Sequence, residues 1–206
     1  MNRLWSALAV LTAGLVRTRG PAAAAATVYL SFDDGPDPEH TTQLLNLLAR
    51  HDAKATFFLL GRDAQQSPEL VGRILADGHA IGNHSMTHPR MKSLGLREQW
   101  AEIDSADRVL ERFDGRKRHL FRPPNGRLTL GMVVACLWRR QALVLWTIDS
   151  LDYKLAPEAV AHRLSAQRPG AGDVILFHDD GPCALLALEV LLPAWKQAGL
   201  RFAALS

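Results

Sequence analysis

Apolar stretches of strand character alternate with helical patterns along nearly all of this 206-residue chain. The strand-like runs are rich in β-branched and aromatic residues and have no polar face, which is typical of parallel strands covered on both sides. Each is followed by an amphipathic stretch with one apolar face. This alternation predicts an α/β fold with parallel strands joined by helices. Seven predicted strands suit either a barrel one strand short of the usual eight or a doubly wound sheet, and periodicity alone does not choose between them.

The predicted strands cover 28–32, 55–60, 79–82, 118–121, 142–148, 173–177 and 200–205. Helices are predicted over 38–50, 67–77, 96–113, 128–140, 157–166 and 184–198. Their boundaries come from Gly and Pro punctuation, for example Ser67-Pro68-Glu69 as a helix start and Gly78 as its stop. No repeat and no linker interrupts residues 27–206, so this stretch is predicted to be one domain.

The first 26 residues differ from the rest of the chain. Arg3 precedes an apolar run over 4–16, and small residues follow at 22–26, which is the pattern of a secretory signal peptide. Arg17 and Arg19 are atypical of such a leader, so an uncleaved N-terminal anchor is the alternative. Either interpretation predicts an exported protein that is secreted, periplasmic or associated with the cell envelope.

Composition excludes several classes of protein. The chain is 48% hydrophobic and 22% charged, as in ordinary globular domains, so disorder is not predicted. A net charge of +3 without a block of like charges gives no argument for nucleic-acid binding, and no stable protein partner is implied. Cys136 and Cys183 lack C-x-x-C spacing, which neither supports nor excludes a disulfide.

Unusual polar clusters come directly after the predicted strands. In a parallel barrel the carboxyl ends of the strands share one face, where active sites form. These clusters are therefore expected to converge there: Asp33-Asp34, His84 to His88, Arg122 to Gly126, Asp149 to Tyr153, and His178.

The spacing of His84 and His88 brings two imidazoles to one side of a helical turn. Together with a carboxylate they form a donor set suited to zinc or a similar divalent ion. Two adjacent carboxylates repel each other unless a cation relieves them, so Asp33 and Asp34 are predicted to divide into a free base and a metal ligand. The alternative is a plain Asp-Asp-Gly turn with two solvated loop histidines.

Three further groups complete a hydrolytic site. The prolines that follow Arg122 restrict its backbone. Arg122 is predicted to form an ion pair with Asp33 that keeps the carboxylate ionised and fixes its orientation. His178 ends an apolar strand and is a candidate general acid, oriented by Asp149 or Asp152. Aromatic and aliphatic side chains, namely Tyr153, Trp146 and Ile175, are candidate walls of a small apolar pocket. No Ser or Cys nucleophile motif and no phosphate-binding loop is present.

These segments resemble the five ordered motifs of the polysaccharide deacetylases, carbohydrate esterase family 4 with the NodB-homology domain. The matching residues are Ser31 to Pro36, His84-Ser85-x-x-His88, Arg122-Pro123-Pro124-x-Gly126, Asp149-x-x-Asp152-Tyr153 and Ile175-x-x-His178. The resemblance covers 27–206 and is most specific in its first two motifs. It implies a distorted (β/α)7 barrel and a metal-dependent hydrolase that removes N-acetyl groups from N-acetylglucosamine polymers such as peptidoglycan or chitin-type oligosaccharides.

The resemblance also implies roles for individual residues. Asp34, His84 and His88 would bind one divalent ion, zinc with cobalt or nickel as alternatives, and Asp33 would be the base. His178 would protonate the departing amine, with Asp152 as its preferred orienting group and Asp149 in reserve. The backbone N–H at Asn125 would stabilise the oxyanion, and Arg122 would pair with Asp33.

Departures from the family pattern bear on substrate choice. Ser31 replaces Thr, Asn125 stands where Tyr is common, Tyr153 replaces Trp, and Ile175 replaces Leu in the acetyl pocket. The alternative activity is an O-acetyl esterase acting on xylan or another polysaccharide with the same site. Two further alternatives are a two-His-one-carboxylate iron oxygenase and a non-catalytic carbohydrate-binding protein.

Overall fold

The computed structural model of the chain describes residues 14–21 and 26–205. The strands in this part of the chain are β1 (Val16–Arg17), β2 (Thr27–Asp33), β3 (Ala55–Leu59), β4 (Ala80–Asn83), β5 (Leu143–Val144), β6 (Ile148–Asp149), β7 (Val174–His178) and β8 (Arg201–Phe202). The α-helices are α1 (His40–Arg50), α2 (Gly61–Gln66), α3 (Pro68–Ala76), α4 (Leu96–Asp114), α5 (Leu130–Arg139), α6 (Pro157–Gln167) and α7 (Pro182–Gln197). Single 3₁₀ turns cover Met91–Ser93 and Pro124–Gly126.

The strands pair in parallel around a central β2. The main sheet has the order β4-β3-β2-β7-β6, and β8 pairs with the start of β2. Phe121 bridges Asn83 and Leu143, which carries the sheet from β4 to β5, and β5 pairs with β1. This architecture confirms the predicted α/β class and the distorted (β/α)7 barrel.

The core explains why β2 has no polar face. All seven of its residues are buried, and helices α1 and α7 cover it with leucines such as Leu44 and Leu188. The Phe32 ring stacks on Phe57 at 5.1 Å and on Phe177 at 5.8 Å between ring centroids, which ties three neighbouring strands together. Because the strands are in register, Asp33 at the end of β2 lies beside His178 at the end of β7.

Three predicted strands are markedly shorter in the structure. The strand predicted over 200–205 is reduced to β8, Arg201–Phe202. The strand predicted over 118–121 reduces to the bridge at Phe121, since the backbone N–H of His119 donates to the Asp107 carboxylate and not to a neighbouring strand. The strand predicted over 142–148 divides into β5 and β6. Between them the Thr147 hydroxyl accepts the N–H of Val174 at 3.0 Å, which takes the place of a ladder hydrogen bond. Helix α2 was not predicted.

Part of the predicted leader contacts the barrel. Residues 1–13 and 22–25 lie outside the described residues, but 14–21 run between β5 and the start of β7. Leu145 donates its N–H to Arg17 O at 2.8 Å, and Gly20 donates to Gly172 O at 2.9 Å. The boundary at residue 27 stays a prediction. Within the described ranges, none of the helices has the length and apolar character needed to span a bilayer.

Both cysteines are free thiols. Cys136 is fully buried on α5, and burial raises the pKa of its thiol to about 12, so it is a core residue.

Candidate active site

Asp33 forms a buried ion pair with Arg122. Its Oδ1 accepts a hydrogen bond from Arg122 Nη1 at 2.8 Å, and both side chains are almost completely buried. The same Nη1 also donates to Ser31 Oγ at 2.8 Å, and the guanidinium lies 4.0 Å from the centroid of the Phe58 ring. Arg122 thus fixes the orientation of Asp33 and leaves Asp33 Oδ2 facing His84, 3.6 Å from its Nε2.

Asp34, His84 and His88 converge on one point. One ligand atom from each of them lies within 4.8 Å of the others. Asp34 Oδ1 is 3.5 Å from His84 Nε2 and 3.4 Å from His88 Nε2. Ligand bonds of about 2.0–2.1 Å at tetrahedral angles separate ligand atoms by about 3.3 Å, so these spacings fit a tetrahedral divalent cation.

Two observations at this cluster point to a cation. Asp34 Oδ1 is buried and has no hydrogen-bond partner among the described residues, although a buried carboxylate oxygen is costly without one. His84 Nδ1 lies 2.8 Å from Arg122 O, an acceptor that fixes the proton on Nδ1 and leaves Nε2 as a ligand atom. Burial also lowers the pKa of His84, which keeps the imidazole neutral.

Helix α4 holds the loop that carries the two histidines. The Asn83 amide donates to Ile103 O at 2.8 Å and to Asp107 Oδ1 at 2.9 Å, while Asn83 Oδ1 accepts the N–H of Ser85 at 2.8 Å. Glu102 on the same helix accepts the N–H groups of Met86 and Thr87 at 3.0 and 2.9 Å. These contacts were not predicted, because no local pattern links residues so far apart in the chain.

His178 is held by Asp152. Its Nδ1 lies 2.8 Å from Asp152 Oδ1, and its backbone N–H donates to Asp152 Oδ2 at 2.8 Å. Burial alone would lower the pKa of His178, but the hydrogen bond and charge of Asp152, with Asp33 and Asp34, outweigh burial and raise the pKa to about 9. Asp149 contacts other groups, since its Oδ1 accepts the N–H of Leu151 at 2.9 Å.

A cavity of about 400 Å³ opens over these groups. Its lining includes both aspartates, both histidines of the cluster and His178, together with Asn125, Gly126, Arg127, Trp146, Asp149, Tyr153, Leu176 and Asp180. Tyr153 is half exposed and its ring meets that of His178 edge-on, with 5.3 Å between centroids. Asn125 has a left-handed backbone, with φ of 57°, at the cavity wall.

The prediction for Ile175 requires correction. Ile175 is fully buried in the core between the sheet and its helices, and Leu176 lines the cavity in its place. Side chains alternate along β7, so a residue on the same side as His178 must lie two positions before it. That periodicity was readable from the sequence.

Sequence reasoning also missed Asp179, which lies behind the Asp33-Asp34 turn. Its carboxylate is buried, accepts a 2.5 Å hydrogen bond from Thr41 Oγ1, and lies so close to Gly35 that a Cβ there would be 2.2 Å from Asp179 Oδ2. Burial raises the pKa of Asp179 to about 8. Gly35 is therefore required by close packing, and an Asp-Asp-Gly pattern alone does not reveal this.

Comparison with known proteins agrees with this geometry. Residues 21–135 match the family model described as polysaccharide deacetylase. A peptidoglycan-N-acetylglucosamine deacetylase of Bacillus cereus is 35% identical over 186 residues, 87% of this chain and 67% of that protein. A chitooligosaccharide deacetylase of Sinorhizobium fredii is 35% identical over 162 residues, 77% of this chain and 74% of that protein.

Among solved structures, a peptidoglycan N-acetylglucosamine deacetylase in complex with 4-naphthalen-1-yl-N-oxidanyl-benzamide superposes with a TM-score of 0.85 at 31% identity. The match covers 97% of this chain and 95% of that one. The model match spans more than half of the chain, and the relatives exceed 30% identity over most of it. The chain therefore belongs to the polysaccharide deacetylase family and is a hydrolytic enzyme of that kind.

Proposed function

We propose that the protein uses one divalent metal ion to remove N-acetyl groups from glycans that contain N-acetylglucosamine. The observation that carries the proposal is the Asp34, His84 and His88 cluster, which has Asp33 beside it and His178 in the same cavity. A family match alone does not specify chemistry, whereas this cluster supports a cation site with a candidate base and a candidate acid around one small volume.

Each step of the reaction has a residue available. Asp34, His84 and His88 would hold a divalent cation, which would supply Lewis-acid polarisation of the acetyl carbonyl and would lower the pKa of water towards about 7. Asp33 takes a proton from the attacking water, whose oxygen bonds to the acetyl carbon. Arg122 keeps the Asp33 carboxylate aimed at this position. The backbone N–H of Asn125 is our candidate donor to the oxyanion of the tetrahedral intermediate.

Collapse of that intermediate breaks the carbon–nitrogen bond. His178, with its pKa raised to about 9, is protonated at neutral pH and gives its proton to the departing amine. Asp152 orients the imidazole and stabilises its charged form. The products are acetate and a free amino sugar.

The donor set of two imidazoles and one carboxylate supports zinc as the native metal, with cobalt or nickel as alternatives. The homologues' substrates, peptidoglycan and chitooligosaccharides, support N-acetylated glycans as the substrate class. We also propose export, on the strength of the apolar run over 4–16 and the small residues that follow it.

Acetate release from a panel of glycans tests the activity. Chitotetraose, peptidoglycan and acetylxylan would be compared, each with and without a chelator and with zinc added back. We expect release from the N-acetylated glycans that the chelator abolishes and zinc restores. Release from acetylxylan alone would instead identify an O-acetyl esterase, and release that is insensitive to the chelator would contradict the metal proposal.

The pH profile should depend on Asp152. An acid must be protonated to act, so activity that depends on His178 falls as pH rises through its pKa of about 9. Asp152→Asn removes the main group that raises this pKa. We expect the alkaline limb of the kcat profile to move below about pH 7, towards the ordinary histidine value. Asp173→Asn, a partly buried carboxylate paired with Arg19 outside the cavity lining, is a matched control that should leave the profile unchanged.

The same shift has a consequence for stability. The pKa of His178 in the folded protein lies above the ordinary value of about 6.5. Its contribution to stability is therefore complete below about pH 6.5 and is lost as pH rises towards 9. Titration of the His178 imidazole by NMR would check the shift directly, and equal pKa values in wild type and Asp152→Asn would contradict it.

A further inference from the structure

A second cavity of about 400 Å³ adjoins the catalytic one. It is lined by Arg90, Met91, Lys92, Pro124, Asn125 and Arg127. Asn125 and Arg127 line both cavities, so the two form one continuous depression at the mouth of the barrel. A glycan with one sugar over the metal cluster would place a neighbouring substituent in this second cavity.

The second cavity carries an unbalanced positive charge. Its lining contains the cations Arg90, Lys92 and Arg127 and no carboxylate. In the part of the chain that the structure describes, none of these three side chains lies within 4.0 Å of an acidic group, whereas Arg62 and Arg122 near the metal cluster are both paired. Three free cations around one cavity favour a negatively charged ligand.

The backbone that carries these cations is well held. Met91 lies between two of them and is buried in the core below, and Arg90 O accepts both the N–H and the hydroxyl of Ser93, at 2.8 and 2.7 Å. Arg127 follows the 3₁₀ turn at Pro124–Gly126, and Pro124 is buried. The two segments follow His88 and Arg122-Pro123 closely in the chain, so the backbone that carries the three exposed cations has a fixed position relative to the reacting groups.

A third cavity carries charge of the other sign. It shares Asp34, His88 and Asp180 with the catalytic cavity, and its lining also contains Asp37 and Asp63, with Arg62 as its one arginine. An anionic substituent would be repelled from the third cavity and attracted to the second. The charges around the site therefore favour one orientation of an anionic glycan over the reverse.

We propose that the cavity formed by Arg90, Lys92 and Arg127 is a subsite for a carboxylate-bearing substituent of the glycan, and that it makes the enzyme prefer acidic glycans such as peptidoglycan over neutral chitin-type oligosaccharides. This inference rests on the proposed deacetylase activity. Carboxylates of this kind are the lactyl group of a muramic acid residue and the carboxyl groups of a peptide attached to it.

The test compares three substrates: chitotetraose, peptide-free glycan strands with free lactyl carboxylates, and strands that retain their peptides. The quantity measured is the ratio of kcat/KM for each acidic glycan to kcat/KM for chitotetraose. In Arg90→Glu/Lys92→Glu this ratio should fall about tenfold or more through KM, since each exposed charge contact is worth about two- to fivefold. Lys117→Glu reverses an exposed cation outside the cavity lining and should keep the wild-type ratio.

The outcomes separate the subsite from the activity. A fall with the peptide-free strands identifies the lactyl carboxylate, and a fall confined to the peptide-bearing strands identifies the peptide carboxylates. An unchanged ratio in the double variant would overturn the subsite while leaving the deacetylase intact. If wild type releases no acetate from any substrate, the proposed function fails, and calorimetric binding of the same glycans to wild type and the double variant decides the subsite by itself.

Discussion

Replacing Asp33 by asparagine is expected to lower kcat by about 10²–10⁴-fold while the protein still binds its divalent ion. The amide of an asparagine side chain cannot take a proton from water, but Asp34, His84 and His88 remain in place. Acetate release together with metal content by elemental analysis would measure both effects. Full activity in a metal-loaded Asp33→Asn protein would exclude Asp33 as the base.

The same substitution should also destabilise the fold. Arg122 is fully buried, and Asp33 is its only ion-pair partner within the described residues. An uncompensated buried charge costs about 3–5 kcal/mol, which corresponds to a fall in Tm of roughly 10 °C for a domain of this size. Ser31 and the carbonyls of Val144 and Leu145 still accept hydrogen bonds from Arg122, so the variant should fold. Glu189→Gln, an exposed carboxylate beside Arg50 outside the cavity linings, is the control and should change neither kcat nor Tm appreciably.

Loss of one histidine of the metal cluster should lower activity as strongly as Asp33→Asn does, because the protein would no longer retain its metal ion. Replacing His88 by alanine should weaken divalent-metal affinity by more than about 100-fold, because even groups that only support a ligand are worth about 10–100-fold. Activity should vanish at micromolar zinc. His88 is partly exposed and contributes little to the core, so Tm without metal should change little.

Calorimetric titration with zinc would measure the affinity of this variant. His162→Ala removes an exposed histidine on α6 and should bind zinc as the wild type does. Wild-type affinity in His88→Ala would show that the cluster does not bind the ion through His88.

The barrel and the polar groups at its mouth were predictable because both follow from local patterns. Uninterrupted apolar runs such as 28–32 predict buried parallel strands, and their ends predict where Asp33, His84 and His178 meet. The element at 118–121 was less predictable, since the Asp107 carboxylate, 12 residues away, takes the N–H of His119. Local propensity carries no information about such a distant competitor for the backbone.

Some side chains around the site were likewise predictable from local patterns, and others depend on contacts that the local sequence does not reveal. The contact between His178 and Asp152, as opposed to Asp149, depends on how the loop after β6 turns. The residue pattern alone left both open, and only the family resemblance favoured Asp152. Asp179 was missed because the sequence does not distinguish it from its neighbour Asp180. In the structure the Asp179 carboxylate is buried behind Gly35, whereas Asp180 lines the cavity. Ile175 was assigned to the cavity against the two-residue alternation of a strand, which shows that a motif match needs checking against geometry.

Arg122 donates not only to Asp33 but also to the carbonyls of Val144, at the end of β5, and Leu145, directly after it, both at 3.3 Å. One guanidinium therefore joins the interrupted part of the barrel wall to Asp33, the proposed base. If this part of the barrel loosens on heating, Arg122 no longer fixes the orientation of the Asp33 carboxylate, even while the rest of the molecule is still folded. Thermal inactivation of such an enzyme would then precede its global unfolding.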